Sequence, residues 1–451
     1  MKLIKDKTFY STLASVGVPI ALQNMIGFGV NMTDTIMLGK LGETQLSAAS
    51  VASQPFFIFS VFTFGLASGA SVLISQYWGK KNMDAIRHVV AIVLRIAIAV
   101  SLLVGAVVFF FPMQVLSIFS DEQAVLQEGV KYLKAVALTY VLYGITNTYF
   151  MVLRSIEIVR FPLFVNIFSC VLDIFLNYAL IFGHFGAPAM GIEGAAVSTV
   201  FSRGLELVIL LVYNKHFEKK LRFSFIRHLF ARDAALFNDY IRYSIPVVLN
   251  ELLWSVGTTI QTFVFGHIGS ETVAANSVTS VITQFASVFL FGIGNAAAVM
   301  IGKTVGGGKK EEAMDMAFTF QVINAFAGAF ACLIILLTKN PFIQFYHISE
   351  NTKRIAADMI NVAALIVFFQ SFSITNVVGI LRGGGDTRFA LVMDILFLWI
   401  FSAPLGILSG LVLHWPIGIV FFLLKADEVI KVFFSVTRII SGKWIRNVTR
   451  E

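Results

Sequence analysis

A chain of 451 residues in which 57% are hydrophobic, 13% are charged and the mean hydropathy is +0.82 cannot be an ordinary water-soluble globule. Its net charge of +8 and pI of 9.4 come from basic residues gathered in short loops, so they reflect membrane topology and anionic-lipid contact, and nucleic-acid binding is excluded as a reading. The two cysteines, Cys170 and Cys332, lie inside apolar runs as isolated small hydrophobes, which excludes a disulfide framework or a thiolate metal site.

Apolar runs long enough to cross a hydrocarbon layer of about 30 Å as helix recur along the whole chain. Hydropathy places them near 12–38, 48–75, 88–111, 130–153, 162–183, 191–213, 241–266, 277–302, 316–338, 356–381, 388–412 and 415–436. The expected fold class is an all-α polytopic membrane protein with twelve transmembrane helices. No cleavable signal peptide is expected, because the first span is too long and Asn31-Met32-Thr33-Asp34 stands where small residues would be needed. Basic residues alternate between loops: Lys2, Lys5, Lys7, Lys80, Lys81, Arg87, Arg154, Arg160, Lys303, Lys309, Lys310, Arg382 and Arg388 fall on one side. By the positive-inside rule that side, with both termini, is cytoplasmic.

The segment from Pro19 to Gly79 returns without a gap as Pro246 to Gly306, with about 18 of 61 paired positions identical. Gly39/Gly266, Gly42/Gly269, Phe62/Phe289 and Gly65/Gly292 are among the pairs. A second echo, one position further offset, sets Leu153-Arg154 against Leu381-Arg382 and Asn166 against Asp394. Six spans per copy begin each copy on the same side of the membrane. The expected organisation is therefore two six-helix lobes related by a pseudo-two-fold along the membrane normal, with a substrate path between them. The boundaries are residues 1–213 for the N-lobe, 214–240 for a basic cytoplasmic linker lying on the headgroups, and 241–451 for the C-lobe.

Four blocks in order on these spans resemble the multidrug and toxic compound extrusion (MATE) family of secondary transporters. They are Asp34-Thr35-Ile36-Met37-Leu38-Gly39 continuing to Gly42 and Ala48-Ala49; Pro246 through Glu251 to Gly266-x-x-Gly269 and Ala274-Ala275; Asp173-x-x-x-Asn177-Tyr178-x-Leu180-Ile181-Phe182-Gly183 followed by Gly191-x-x-Gly194-Ala195-Ala196; and Leu381-Arg382-Gly383-Gly384-Gly385-Asp386-Thr387-Arg388. The resemblance implies an inner-membrane, non-enzymatic antiporter that exports amphipathic, often cationic, compounds in exchange for protons or sodium ions. It needs no further cofactor. The partners implied are small amphipathic molecules and membrane lipids, and a monomer is expected.

Ionisable groups inside spans are the candidate coupling residues, since a charge in hydrocarbon costs several kcal/mol unless it faces a cavity or a partner. Glu251 lies about 15 Å into its helix, near the midplane, where a carboxylate stays protonated, pairs or holds a cation. The alternative is a structural acid bonded to a neighbouring helix. Asp34 lies about one turn from the external end of its span, where it could equally be an interfacial anchor, and Asn31 one turn earlier could hydrogen-bond it. The resemblance implies that Asp34 and Glu251 are the first-helix acids of the two lobes that bind the coupling ion. Asp173 and Asn177 share a helix face at i and i+4. With Asp34 they would form a polar nest able to hold a sodium ion or share a proton; ordinary helix-packing contacts are the alternative.

The family pattern is broken at Ser371, where several members carry an aspartate, and this favours protons over sodium. Asp394 reads as a packing or salt-bridge residue, Arg203 and Glu206 as a mutually neutralising pair, and Lys425, Asp427 and Glu428 are left undecided. Cavity contacts are expected from Gln23, Asn31, Gln54, Tyr143, Asn147, Gln284 and Gln370 at polar points of aromatic-rich faces. Gly302-Lys303-Thr304 lacks the glycine of a phosphate-binding loop, Ala297 standing there, so ion gradients rather than ATP must drive uphill transport. Two other classes are weighed. A flippase for lipid-linked precursors or oligosaccharides of similar architecture would need several arginines lining its cleft. A membrane-embedded enzyme would need a convergent set, whereas His88, His184, His216, His228, His267, His347 and His414 all fall in loops or at span ends.

Overall fold

The structure is a computed structural model and describes residues 2–346 and 348–450; His347 lies outside the described residues, as does the side chain of Ile226. Among the described residues the regular structure is all helical. Twelve rods follow in order: α1 Lys7–Gly39, α2 Glu43–Gly79, α3 Met83–Phe110, α4 Gln123–Ser155, α5 Arg160–Phe182, α6 Ile192–His216, α7 Ala234–Ile268, α8 Ser270–Gly306, α9 Lys310–Gln344, α10 Glu350–Leu381, α11 Thr387–Val412, and α12, made of Ile417–Leu424 and Ala426–Ile440. Each coincides with a span expected from hydropathy. Ten are long and apolar enough to cross a membrane. The exceptions are α7, loaded with Asn250, Glu251, Thr258, Thr259 and Gln261, and α12, broken at Lys425 ahead of Asp427, Glu428 and Lys431.

Helix is the only local solution for such runs, because hydrocarbon offers nothing to an unpaired backbone N–H or C=O. Prolines inside α1, α2, α7 and α9 each remove one ladder bond, and Pro19 and Pro246 do so at equivalent positions of the repeat. In α10 and α11 the ladder widens to i→i+5 over Thr375–Leu381, Ile395–Ser402 and Leu408–Val412. Large apolar side chains such as Phe110, Phe326 and Leu337 remain exposed outward, as lipid-facing residues do.

Two compact units emerge. One holds Leu22–Ala70 and Met83–Ile241, the other Arg242–Glu451 with Met1–Ala21 and Ser71–Asn82. The first has its core where α2, α3 and α4 meet, around Ala52, Phe59, Leu133, Tyr140 and Ala196. Its connecting segment after α6 is tied down rather than loose: the Glu218 carboxylate accepts from the backbone N–H groups of Lys220 and Leu221 at 2.6 and 2.7 Å, and Arg87 Nε donates to Leu221 O at 2.8 Å.

The second unit has one core around Phe265, Met359, Ile360 and Phe421 and another around Phe320, Ile380 and Trp444. In it the C-terminal ends of α2 and α8 touch backbone to backbone. A Cβ on Gly79 would stand 1.9 Å from Lys303 O, and one on Gly306 would stand 1.9 Å from Gln76 O, so only glycine fits at either repeat-equivalent position. The chain's last residues seal this crossing. Trp444, fully buried, covers Gly384, while Gln76 Nε2 donates to Gly383 O and Arg446 O and its Oε1 accepts from Val448 N.

Candidate functional site

In the first unit α1, α5 and α6 bring Asp34, Asp173, Asn177 and Ser198 together. The Asn177 amide is the hub: Nδ2 donates to Asp34 Oδ1 at 2.7 Å and to Asp173 Oδ2 at 3.1 Å. Ser198 Oγ supplies Asp173 Oδ1 at 3.2 Å and the Asp173 carbonyl at 3.0 Å. Asp173 and Asn177 are buried and Asp34 is half-buried. Asn31 is not the partner expected for Asp34; it is exposed and contributes only its carbonyl, to Thr35 Oγ1. Ser198 escaped the sequence reading, although a signal for it exists. Gly194 lets α6 approach until an added Cβ would stand 2.6 Å from Leu180 O, and that close crossing carries Ser198, four residues on, to Asp173.

The electrostatics of this nest are one-sided. Arg203, the nearby cation, is held by Glu206 at 2.9 Å and lies 5.3 Å from the centre of the Tyr143 ring. Arg203 and Glu206 neutralise each other at i and i+3. Asp34 and Asp173 keep only neutral donors, which stabilise negative charge less than an ion pair does. A proton on either acid relieves their mutual repulsion at once. A sodium ion needs oxygen ligands, and the Asn177 NH2 occupies the position between the two carboxylates while its Oδ1, buried, has no donor.

Glu251 sits in the second unit and is not a free carboxylate. Its Oε1 lies 2.6 Å from Arg382 Nη1, and Arg382 Nη2 also donates to Asn250 Oδ1. Of the three states expected for a midplane carboxylate, protonated, paired or holding a cation, the paired one is present: the countercharge is supplied by the Leu-Arg-Gly block at the end of α10. Asn250 Nδ2 donates in turn to Asp394, which pairs with Lys431 at 2.9 Å; Lys431 also pairs with Asp427 at 2.8 Å and faces Glu428 at 3.8 Å. Lys431 is the cation that pairs directly with the acids of α12. Ser371, standing where an acid was missed, donates to Asn324 O at 2.9 Å and packs on Gly328.

The expected cavity residues divide. Tyr143 is half-buried beneath Arg203 and beside Phe56, ring centres 5.1 Å apart, and Asn147 is half-buried one turn further along α4. Gln23 is buried and bonded to Arg154 and Val159 O. Gln370 is half-buried and accepts from Ser287 Oγ at 3.2 Å, whereas Gln54 and Gln284 are exposed. Among the described residues no three His, Cys, Asp or Glu side chains are gathered as a metal cage.

Comparison with known proteins identifies the family and the fold. The family model MatE matches residues 19–179 and again 246–408, once for each copy of the repeat. The chain is 24% identical over 446 residues to the probable multidrug resistance protein NorM of Thermotoga maritima, covering 97% of this chain and 94% of that one. It is likewise 24% identical over 448 residues to the uncharacterized transporter YisQ of Bacillus subtilis, covering 99% and 97%. Among solved structures, the Vibrio cholerae MATE transporter VcmN superposes with a TM-score of 0.87 at 16% identity over 97% of this chain and 98% of that one. A MOP-superfamily transporter from Pyrococcus furiosus gives 0.84 at 15% identity over 96% of each. With its repeated twelve-helix pattern, its span-embedded acids and a family match over both halves, this chain belongs to the MatE family of multi-pass membrane transporters.

Proposed function

We propose that this protein is an exporter of amphipathic, often cationic, compounds, driven by protons that bind at Asp34 and Asp173. The observation that carries this reading is the Asn177 amide donating to both carboxylates while the nearest guanidinium is committed to Glu206. Such a pair can take up one proton without rearranging its donors. Sodium would require the amide to turn its oxygen inward and give up both bonds. The relatives named for multidrug resistance support drugs or toxins as the cargo, and the basic-loop pattern supports an inner-membrane protein with both termini in the cytoplasm.

In this mechanism a proton from the external side neutralises Asp34 and loosens the Asn177 clamp between α1 and α5, which lowers the affinity for bound cargo; cargo from the inside restores the charged state. Proton and cargo thus compete through one local structure, and access alternates as they exchange. When the cargo is neutral or zwitterionic, the proton's charge moving through the membrane potential supplies about 2.3 kcal/mol per 100 mV, enough for roughly 50-fold accumulation; one proton exchanged for a monovalent cation moves no net charge, and the pH gradient drives it at about 1.4 kcal/mol per pH unit. Glu251, already neutralised by Arg382, serves as part of the frame of the second unit. The test is dye uptake into inverted vesicles with a proton gradient and a sodium gradient imposed separately. A proton gradient alone should drive uptake; uptake that follows only sodium would refute proton coupling.

A further inference from the structure

The start of α11 and the end of α12 enclose an open groove of about 370 Å³. Its walls are the rings of Phe389, Phe433 and Phe434, and its rim carries Arg438 and Lys443. Two of the rings are held in place: Phe434 packs on Phe397, ring centres 4.8 Å apart, and the Arg438 guanidinium lies 4.8 Å from the centre of the Phe389 ring. Phe433 and Phe434 are 64% and 52% exposed, whereas Lys431, Ser435 and Ile439 of the same helix are buried, so the apolar part of the groove opens away from the core. At about 1.5 Å per residue the groove runs about 12 Å along α12 from Phe433 to Ser441. Its basic end lies on the side that the loop charges mark as cytoplasmic. A headgroup layer is about 6 Å deep, so this length takes in a headgroup and the first part of an acyl chain.

The rim carries more positive charge than the protein neutralises. Asp386, fully buried, accepts from Arg438 Nε and Nη2, both at 2.8 Å, and faces Arg446 Nη2 at 3.1 Å. Arg388, next to Phe389, and Lys443 are both exposed, and among the described residues neither pairs with a carboxylate. Four cations thus gather around one acid. The nearby hydroxyls are spent, since Thr437 Oγ1 donates to Phe433 O and Ser441 Oγ to Arg438 O, both at 2.7 Å. The last carbonyls of α12 take their donors from elsewhere, Thr437 O from Ser441 N and Ile439 O from Gly442 N and Trp444 Nε1, so the Lys443 ammonium stands outside the capping of the helix. An aromatic channel open to hydrocarbon, topped by surplus cations at headgroup depth, fits a molecule with acyl chains and a fixed negative charge. We propose that this groove binds one anionic phospholipid of the cytoplasmic leaflet, its phosphodiester met by Lys443 and Arg388 and an acyl chain lying on Phe433 and Phe434. The site does not depend on the export reading.

Phosphatidylglycerol and phosphatidylcholine carrying the same fluorescent acyl chain are titrated by anisotropy against the purified full-length protein in detergent. Phosphatidylglycerol should bind saturably, at least about tenfold tighter than phosphatidylcholine. Lys443→Gln with Arg388→Gln should bring the two lipids within about twofold of each other, and Lys443→Arg, which keeps the charge, should keep the preference. Lys309→Gln with Lys310→Gln removes as much charge from exposed residues on the same side and should leave the preference intact. Equal affinity for the two lipids, or a preference that survives the Lys443 and Arg388 double variant, overturns the site. So does a preference lost equally with Lys309 and Lys310, which would assign it to overall surface charge. Displacement of phosphatidylglycerol by glycerol 3-phosphate at the same concentration also overturns it, since the apolar groove would then play no part.

Discussion

Glu251 and Arg382 show how much a single ionisable residue depends on its partner. Their side chains are 13% and 3% exposed, so neither charge is solvated by water. Glu251→Gln should leave Arg382 buried without its countercharge and lower stability by about 3–5 kcal/mol, whereas Glu251→Gln with Arg382→Met should recover most of that loss. Denaturant titration of the purified protein in detergent measures both; a double variant as unstable as the single one would mean that the pair is not the stabilising contact. In the first unit the corresponding test is Ser198→Ala, which removes one donor from Asp173. It should cost about 1 kcal/mol in stability and leave dye export measurable, since Asn177 still bridges the acids.

At the scale of elements, the glycine pair Gly79 and Gly306 sets the approach of α2 and α8. Gly79→Ala or Gly306→Ala puts a methyl group 1.9 Å from a backbone carbonyl of the other helix, a contact that no rotamer relieves. Each should destabilise the fold by about 1–3 kcal/mol or more, read as a lowered melting midpoint in detergent, while Gly27→Ala, with nothing within 4 Å of its added Cβ, should not. The sequence made the elements legible because helices in hydrocarbon must be long and apolar; each expected span falls on one rod, and the rods overrun the spans by up to seven residues where the helix continues into polar sequence that hydropathy does not count. It made the acids legible because charges in spans are rare. It could not show their partners: Arg382 reaches Glu251 and Lys431 reaches Asp394 across helices, and the rotation of one helix against another is not encoded in the periodicity of either. Where a crossing is fixed by small residues, as Gly194 fixes α5 and α6, the partner Ser198 was recoverable in principle.

For the whole molecule, the two copies of the repeat keep the same scaffold and divide the ionic work. The second copy pairs its buried charges internally, Glu251 with Arg382 and Asp394, Asp427 and Glu428 around Lys431. The first leaves Asp34 and Asp173 on a neutral amide and Arg154 on another. Uncommitted charge is what an exchanger needs, and the proposal of proton coupling at the first copy rests on that difference. The measurement that bears most directly on this is a comparison of dye counterflow and gradient-driven dye accumulation in proteoliposomes carrying Asp34→Asn. Counterflow, which needs only cargo binding and exchange, should persist once the dye concentration is raised to offset the lower affinity that a neutral residue 34 imposes, and proton-driven accumulation should fall at least about tenfold at any dye concentration. Accumulation that persists undiminished in Asp34→Asn would contradict the account.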